Sequence, residues 1–370
     1  MKIYKVTLKP LDWFFFGGES TLDNGVKQSY IAHSEVFPQQ TTLLGVLRYQ
    51  LLKQKGWLWG KEHDEKPSRS DVDSLIGENS FSMEDVNQKF GRIKCLSPVF
   101  IEEDKNERVS NPFYPVPLTK DYRLTFDSNV SVYLNGQMKK YLINDNNTFD
   151  PKKYSNYIRY QGKDGRELVI DDIFVPRIQI GITKNTDYGQ EEDDDKNRFF
   201  KREMLKFKTD EFCFAFYVEL DEELKNDYVF LGAERSCFKM NVEPQVDATG
   251  VCQIYLDNHP SKSERGRIEL LSPTYIENLD ALNDICDFHW SYQSQFRNLA
   301  MVKDGRGKLN SGAISYNRKE TSFHFLSAGS VLFFEESERG RVEDLLNDKH
   351  LQDIGYNYFN SMNNNIKNDQ

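Results

Sequence analysis

Cysteine is scarce in this chain of 370 residues: Cys95, Cys213, Cys237, Cys252 and Cys286 are odd in number and far apart. That scatter excludes a disulfide framework and suits a reducing compartment. Cys213 sits inside an apolar strand pattern and reads as a small core residue. Long apolar runs are missing as well. The FFF at residues 14–16 is far too short to span a bilayer. The opening MKIYKVTLKP alternates and has no apolar h-region, so no secretory leader and no membrane partner are expected, and the chain is placed in the cytoplasm.

Catalytic signatures are equally sparse. There is no GxxxxGK[ST] phosphate loop, no GxSxG elbow and no GGDD-like motif. The GGES at residues 17–20 lacks the second carboxylate that a two-metal site needs. His63–Asp64 forms an HD dipeptide in polar flanks without further ligands, and Cys286-x-x-His289 has no second pair to complete a zinc site. No metal and no cofactor are expected.

Net positive charge is absent too. Lys and Arg total 48 against 58 Asp and Glu, a net charge of -10. This excludes a surface that coats itself in nucleic acid throughout. A local basic groove remains open, because phosphates sense only the charges within a Debye length. Part of the acidic excess lies in the single run at 191–195, which reads as a solvated stretch.

What the chain does have is aromatic bulk, 26 Phe and 19 Tyr, which suits a β-rich globular interior. Tyr4, Val6 and Leu8 alternate with polar residues, so a half-buried strand opens the chain. Gly17 and Gly18 mark a turn or bulge. In PQQTTLLGVLRYQLLKQKG, Thr41 or Thr42 caps a helix whose buried face is Leu43, Leu44, Leu47 and Leu51, with Gly56 just past its end. Residues 57–170 read as an insertion with short strands such as RIKCLSPVFI and SVYLNG. DIFVPRIQIGI and DEFCFAFYVEL read as strands joined by a long polar arm, an extended hairpin over 182–208. A short helix at 221–227 and a closing strand in LGAERSCFKMNVE follow.

That order is strand, helix, insertion, strand, hairpin, strand, helix, strand, which is the ferredoxin-like order of an α+β fold. A second unit starts near 248, with a strand at RIELLS, a helical region around FHWSYQSQFRNLA, a hairpin through GAISYN and SVLFFEES, and a helix at RVEDLLNDKHLQDI. The expectation is therefore two ferredoxin-like units, 1–247 and 248–370, with a frayed Asn-rich tail.

Three cationic places are candidates for RNA. At the first helix start, Gln39, Gln40, Thr41 and Thr42 offer hydroxyls and free amides, a natural anion site, with Arg48 one face further on. Ordinary capping plus a surface Arg is the plainer account. On the hairpin, Lys184, Arg198, Lys201, Arg202, Lys206 and Lys208 accompany Tyr188, Phe199 and Phe200, an arm that fits beside nucleotides or is simply a solvated loop. In GRGK, Arg306 and Lys308 flank a glycine that can turn amides toward an anion or merely make a flexible turn. Arg235 and Arg318 are further candidates, Arg235 with a salt bridge as its commoner fate. No RNP-type run of aromatics is present, so loops and helix ends, not stacking on a sheet, carry the expected grip.

The stretches FFFGGES, PQQTTLLGVLR, RIQIGITKNT, LGAERS, RIELLSPTYI and SFHFLSAGSVLFFE, in this order and across most of the chain, resemble the RAMP proteins of CRISPR systems. More narrowly they resemble the third subunit of the type III-B (Cmr) effector complex. The resemblance implies a subunit that does not cut RNA and works in antiviral defence. It would bind the 5′ handle of the crRNA, dock the large cyclase/polymerase-like subunit and the adjacent backbone RAMP subunit, and use its hairpin as a thumb. It would not be an isolated homo-oligomer. Three alternatives stay open: the equivalent subunit of a Csm (type III-A) complex, a protein-binding scaffold, and a metal-independent RAMP endoribonuclease processing repeat RNA. The last would use His33 as general acid/base with Arg48 or Lys27 supplying the cation.

Overall fold

A computed structural model describes residues 1–22, 30–58, 67–105, 109–120, 123–126, 132–134, 137–139, 141–144, 158–182, 199–232, 234–246, 250–260, 264–296, 299–301, 316–318 and 323–360. The fold is mixed α+β and built mostly from antiparallel sheet. The opening strand Lys2–Pro10 buries Tyr4, Val6 and Leu8 on one face, as its alternation predicts. It occupies the middle of a nine-stranded sheet. Phe212–Leu220 pairs antiparallel on one side, with Val6 opposite Phe216, and Ser236–Pro244 on the other, with Leu8 opposite Met240. Beyond Phe212–Leu220 come Phe100–Lys105, Val109–Pro115, Arg159–Gly162 and Glu167–Val169, and Ile93–Leu96 also pairs with Phe212–Leu220. Asp227–Leu231 closes the opposite edge.

The helix Gln40–Gln54 covers one face through Leu43, Leu44, Leu47 and Leu51. Under it lies the Phe-rich core that the composition announced. The ring of Phe214 stands 5.0–6.4 Å from those of Phe14, Phe16, Phe37, Phe174, Phe207 and Phe238. On the second face, Phe100, Tyr114, Ala215 and Tyr217 pack against Val251 and Tyr255 of the helix Val251–Asn258. A separate cluster including Ile268, Leu270, Leu332 and Val342 forms the C-terminal core.

Several elements differ from the sequence reading. The strand Phe174–Ile182 does not enter the main sheet. It pairs with Phe199–Phe207 in a second, four-stranded sheet completed by Tyr30–Ser34 and Gly17–Leu22. The place expected for it is filled by Phe100–Lys105, from inside the insertion. An apolar alternation specifies a strand but not its partner. No helix forms at 221–227; Leu224 is the one buried anchor there, too little for an amphipathic face, and a strand begins at Asp227. The expected helical region at 288–300 is instead the strands Phe288–Trp290, Gln293–Phe296 and Leu299–Met301, whose aromatics fit a pleat better than a helix. The last helix splits into Arg339–Leu346 and Lys349–Gln352, because the Asp348 side chain accepts from the Leu351 amide and starts a new turn.

Residues 353–360 stitch the cores together. The Leu96 amide donates to the Asp353 carbonyl at 2.8 Å, and that of Leu271 donates to the Tyr358 carbonyl at 2.7 Å. The buried Asn357 amide group donates to the carbonyls of Tyr275 and Leu346, at 2.9 and 3.0 Å. Gly355 has a φ of +90°, and a Cβ there would come within 2.6 Å of the Ser97 carbonyl oxygen. Gly355→Ala should destabilise the chain by about 1–3 kcal/mol, read as a lower midpoint with unchanged slope in urea unfolding.

Burial beside Tyr114 and Tyr255 pulls the His259 imidazole down to about 3. The unfolded chain binds that proton near pH 6.5, the folded one only near 3. The stability is whole above 6.5 and is lost as pH falls through that window. Relative to His259→Gln, the parent should lose at most about 1.4 kcal/mol more per pH unit below 6.5, measured by urea unfolding across pH.

Candidate nucleic-acid interface

The long helix starts at Gln40, and Gln39 is its N-cap in an extended conformation. Thr41 and Thr42 therefore lie inside the first turn, and neither caps it. The start is fixed from elsewhere. The buried Gln40 side chain donates to the carbonyls of Ser97 and Gly355, at 3.0 and 3.1 Å. The buried Tyr356 hydroxyl faces the amides of Gln40 and Thr41, which favour its ionised form, and the amides of Thr42 and Leu43 donate to the Gln39 carbonyl. The four leading amides thus all face protein oxygens, which leaves the dipole and the threonine side chains to meet an anion. The Gln40 Oε1 has no partner, and this residue lines a groove of about 1060 Å³ together with Gln39 and Thr42. Arg235, Phe230 and Tyr49 stand on the same groove's wall.

Arg48 faces inward rather than toward solvent. Its Nη1 donates to the Asn79 carbonyl at 2.9 Å and its guanidinium lies 5.7 Å from the Phe90 ring. Burial lowers its pKa to about 10. It braces the helix against residues 77–90, with Nε and Nη2 unpartnered.

The hairpin strand Phe199–Phe207 carries its cations on two faces. Arg202 pairs with Glu234 and lies 5.8 Å from the Phe15 ring, so it locks the hairpin to the turn after Leu231. Lys201 is half-buried and Lys206 exposed. On the paired strand, exposed Arg177 sits 5.6 Å from the Trp13 ring. A smaller cavity of about 340 Å³ separates these elements, lined by Trp13, Gln179, Arg202 and Glu234. Arg235, next to Glu234, has a φ of +53° and stands with its guanidinium 5.3 Å from the Phe230 ring. The helix start and Arg235 thus share one groove, and Arg202 joins the Arg235 turn through Glu234.

Lys184, Arg198, Arg306 and Lys308 lie outside the described residues, as do Lys27, His63, Asp64 and the acidic run at 191–195. Arg318 is placed on a short strand opposite Leu299. His33 has its Nδ1 3.5 Å from Glu203 on an exposed face, while Arg48 is committed to Asn79. Cys286 is buried in the C-terminal core, and His289 is held by Ser291 and Asn283. Among the described residues no three His, Cys, Asp or Glu side chains gather as metal ligands, and no helix is long and apolar enough to cross a membrane. Sequence reasoning missed Glu234 and Tyr356. The first was visible as the neighbour of Arg235; the second acts across more than 300 residues and has no local signal.

Comparison with known proteins bears on this arrangement. Residues 6–360 match the model of a family described as CRISPR-associated protein (Cas_Cmr3). One chain of the solved assembly titled "Cryo-EM structure of the Type III-B Cmr-beta bound to cognate target RNA" is similar in fold, with a TM-score of 0.50, 15% identity and 96% of each chain covered. No curated protein matches the chain.

Tyr356→Phe removes the buried hydroxyl that faces the amides of Gln40 and Thr41. It should cost about 1–3 kcal/mol in urea unfolding; an unchanged midpoint would show that those amides find no benefit in the hydroxyl.

Proposed function

Because this chain belongs to the family described as CRISPR-associated protein (Cas_Cmr3) and is thereby a subunit of a Cmr effector complex, we propose that it is the non-catalytic subunit that grips the 5′ handle of the crRNA. In this reading the four central strands, with Gln40–Gln54 on one face, are a ferredoxin-like core in which the strand Asp227–Leu231 replaces the second helix. Residues 248–370 form a second unit of the same ancestry. The subunit docks the large cyclase/polymerase-like protein and the adjacent backbone RAMP subunit, and it works in the cytoplasm.

One observation carries the proposal. The Arg202–Glu234 bridge ties the hairpin strand to the turn that holds Arg235 out over Phe230, so Lys201, Lys206, Arg177 and Arg235 come from two adjoining elements. On a chain of net charge -10, such a local set of cations suits a phosphate backbone. Arg48 and Arg202 support the shape of this site rather than contacting RNA. In this reading Lys184, Arg198, Arg306, Lys308 and Arg318 remain further candidate cations for the RNA.

Affinity for handle RNA should fall steeply with salt. Lys201→Ala with Lys206→Ala, and Arg235→Ala separately, should each flatten the log–log slope by about 1 per lost phosphate contact. An unchanged slope would refute those contacts. Repeat RNA incubated with the chain in EDTA should stay intact; specific cleavage lost in His33→Ala would overturn the non-catalytic reading.

A further inference from the structure

The strand Asp227–Leu231 is a free edge of the main sheet among the described residues. It alternates cleanly. Val229 and Leu231 are buried beneath the long helix, whereas Tyr228 and Phe230 are 55% and 50% exposed on the other face. Two large aromatics displayed side by side on an edge strand are a liability unless something covers them.

Their surroundings indicate what does. Tyr228 stands opposite Lys239 on Ser236–Pro244, and Lys239 stands opposite Lys9 on Lys2–Pro10. Phe230 stands opposite Cys237 in the next row. Tyr228, Lys239 and Lys9 therefore form one row across three strands, spanning about 10 Å. Like charges directly opposite repel, and neither lysine makes an ion pair among the described residues. The other half of the same face is different. Lys5 is neutralised by Glu102 at 2.9 Å and Glu243 at 3.8 Å, and Tyr217 and Phe100 are covered by the helix Val251–Asn258. Among the described residues of this face, only the half at the aromatic edge keeps unopposed positive charge, in a molecule where acids outnumber bases by ten. Arg235 adds a third cation, held over the Phe230 ring by a left-handed backbone that a non-glycine residue rarely adopts.

We propose that this open half-face is a stacking platform for single-stranded RNA, with Tyr228 and Phe230 receiving bases and Lys9, Lys239 and Arg235 meeting phosphates. The platform rests on the RNA-binding reading above for the class of its ligand, but it lies on a different part of the chain from the hairpin. Bases have two flat apolar faces and a charged backbone, and this face offers flat rings beside unpaired ammonium groups. A protein strand added to the edge would use the backbone of 227–231 alone. It would leave Lys9, two strands further in, without an explanation. Phe230 also lines the groove at the helix start, so a strand on the platform has a path toward that groove.

The test uses the full-length chain with fluorescent oligouridylate, at low and moderate salt, against an RNA duplex of equal length. Tyr228→Ala and Phe230→Ala should each weaken binding of the single strand about 5- to 100-fold and leave duplex binding unchanged. Lys9→Gln with Lys239→Gln should flatten its salt dependence. Tyr228, Phe230 and Lys239 are exposed and Lys9 is half-buried on the same open face, so the variants should melt close to the parent. If the double aromatic variant binds oligouridylate as the parent does, the platform is refuted, whether or not that variant loses a protein partner. If it loses binding while Lys201→Ala with Lys206→Ala keeps it, the platform stands and the hairpin grip fails; the reverse pattern leaves the hairpin grip and removes the platform.

Discussion

The buried side chain of Gln40, donating to the carbonyls of Ser97 and Gly355, is the contact around which the molecule is arranged. Four leading amides of a helix must find partners, and when they are buried the cost of failure is large. Here the partners come from the far end of the chain. Gln40 reaches the Gly355 carbonyl, Leu96 reaches Asp353, and Leu271 reaches Tyr358, so one segment fixes the helix, the insertion strand Ile93–Leu96 and the C-terminal core. Gly355 is required where this segment passes closest to Ser97. The large groove opens where these three bodies meet, lined by Gln39 and Gln40 of the helix start, Pro98 and Val99 of the insertion, and Leu271 and Phe325 of the C-terminal part.

The same economy governs charge. The described cations around the two candidate surfaces divide into two kinds. Arg48 and Arg202 are turned inward, one onto a carbonyl and an aromatic ring, the other onto Glu234. They shape the surface. Lys206, Arg177, Lys239 and Arg235 remain at the surface on neighbouring elements. A net charge of -10 spread over the rest of the chain sharpens this contrast, because it disfavours polyanions everywhere except beside such local groups.

The opening strand, the long helix and the two apolar strands at 174–182 and 212–220 are legible in the sequence, since each carries its own period. The Phe-rich stretch at 14–16 and the LGAERS turn are legible too, as motifs in family order. What is not legible is partnership. Nothing local distinguishes Phe100–Lys105 from Phe174–Ile182 as the neighbour of Phe212–Leu220, because pairing is decided by which register buries more on both faces. The helix expected at 221–227 and the one expected at 288–300 fail for the same reason: polar or aromatic composition alone sets no apolar stripe. At the site, Thr41 and Thr42 attract attention as capping residues, yet Gln40 anchors the helix start through contacts more than 50 residues away. Tyr228 and Phe230 escape notice because no local pattern says which alternate residues a helix will cover.

Under the proposed function, RNA meets this subunit along the adjoining hairpin strand and aromatic edge, not over its surface at large. Ultraviolet crosslinking of guide RNA in the intact Cmr complex, with the crosslinked peptides of this chain mapped by mass spectrometry, tests it most directly. Crosslinks are expected within 199–208 and 227–239; crosslinks confined to other parts of the chain, such as the C-terminal helix Arg339–Leu346, would rule out RNA contact along these two surfaces.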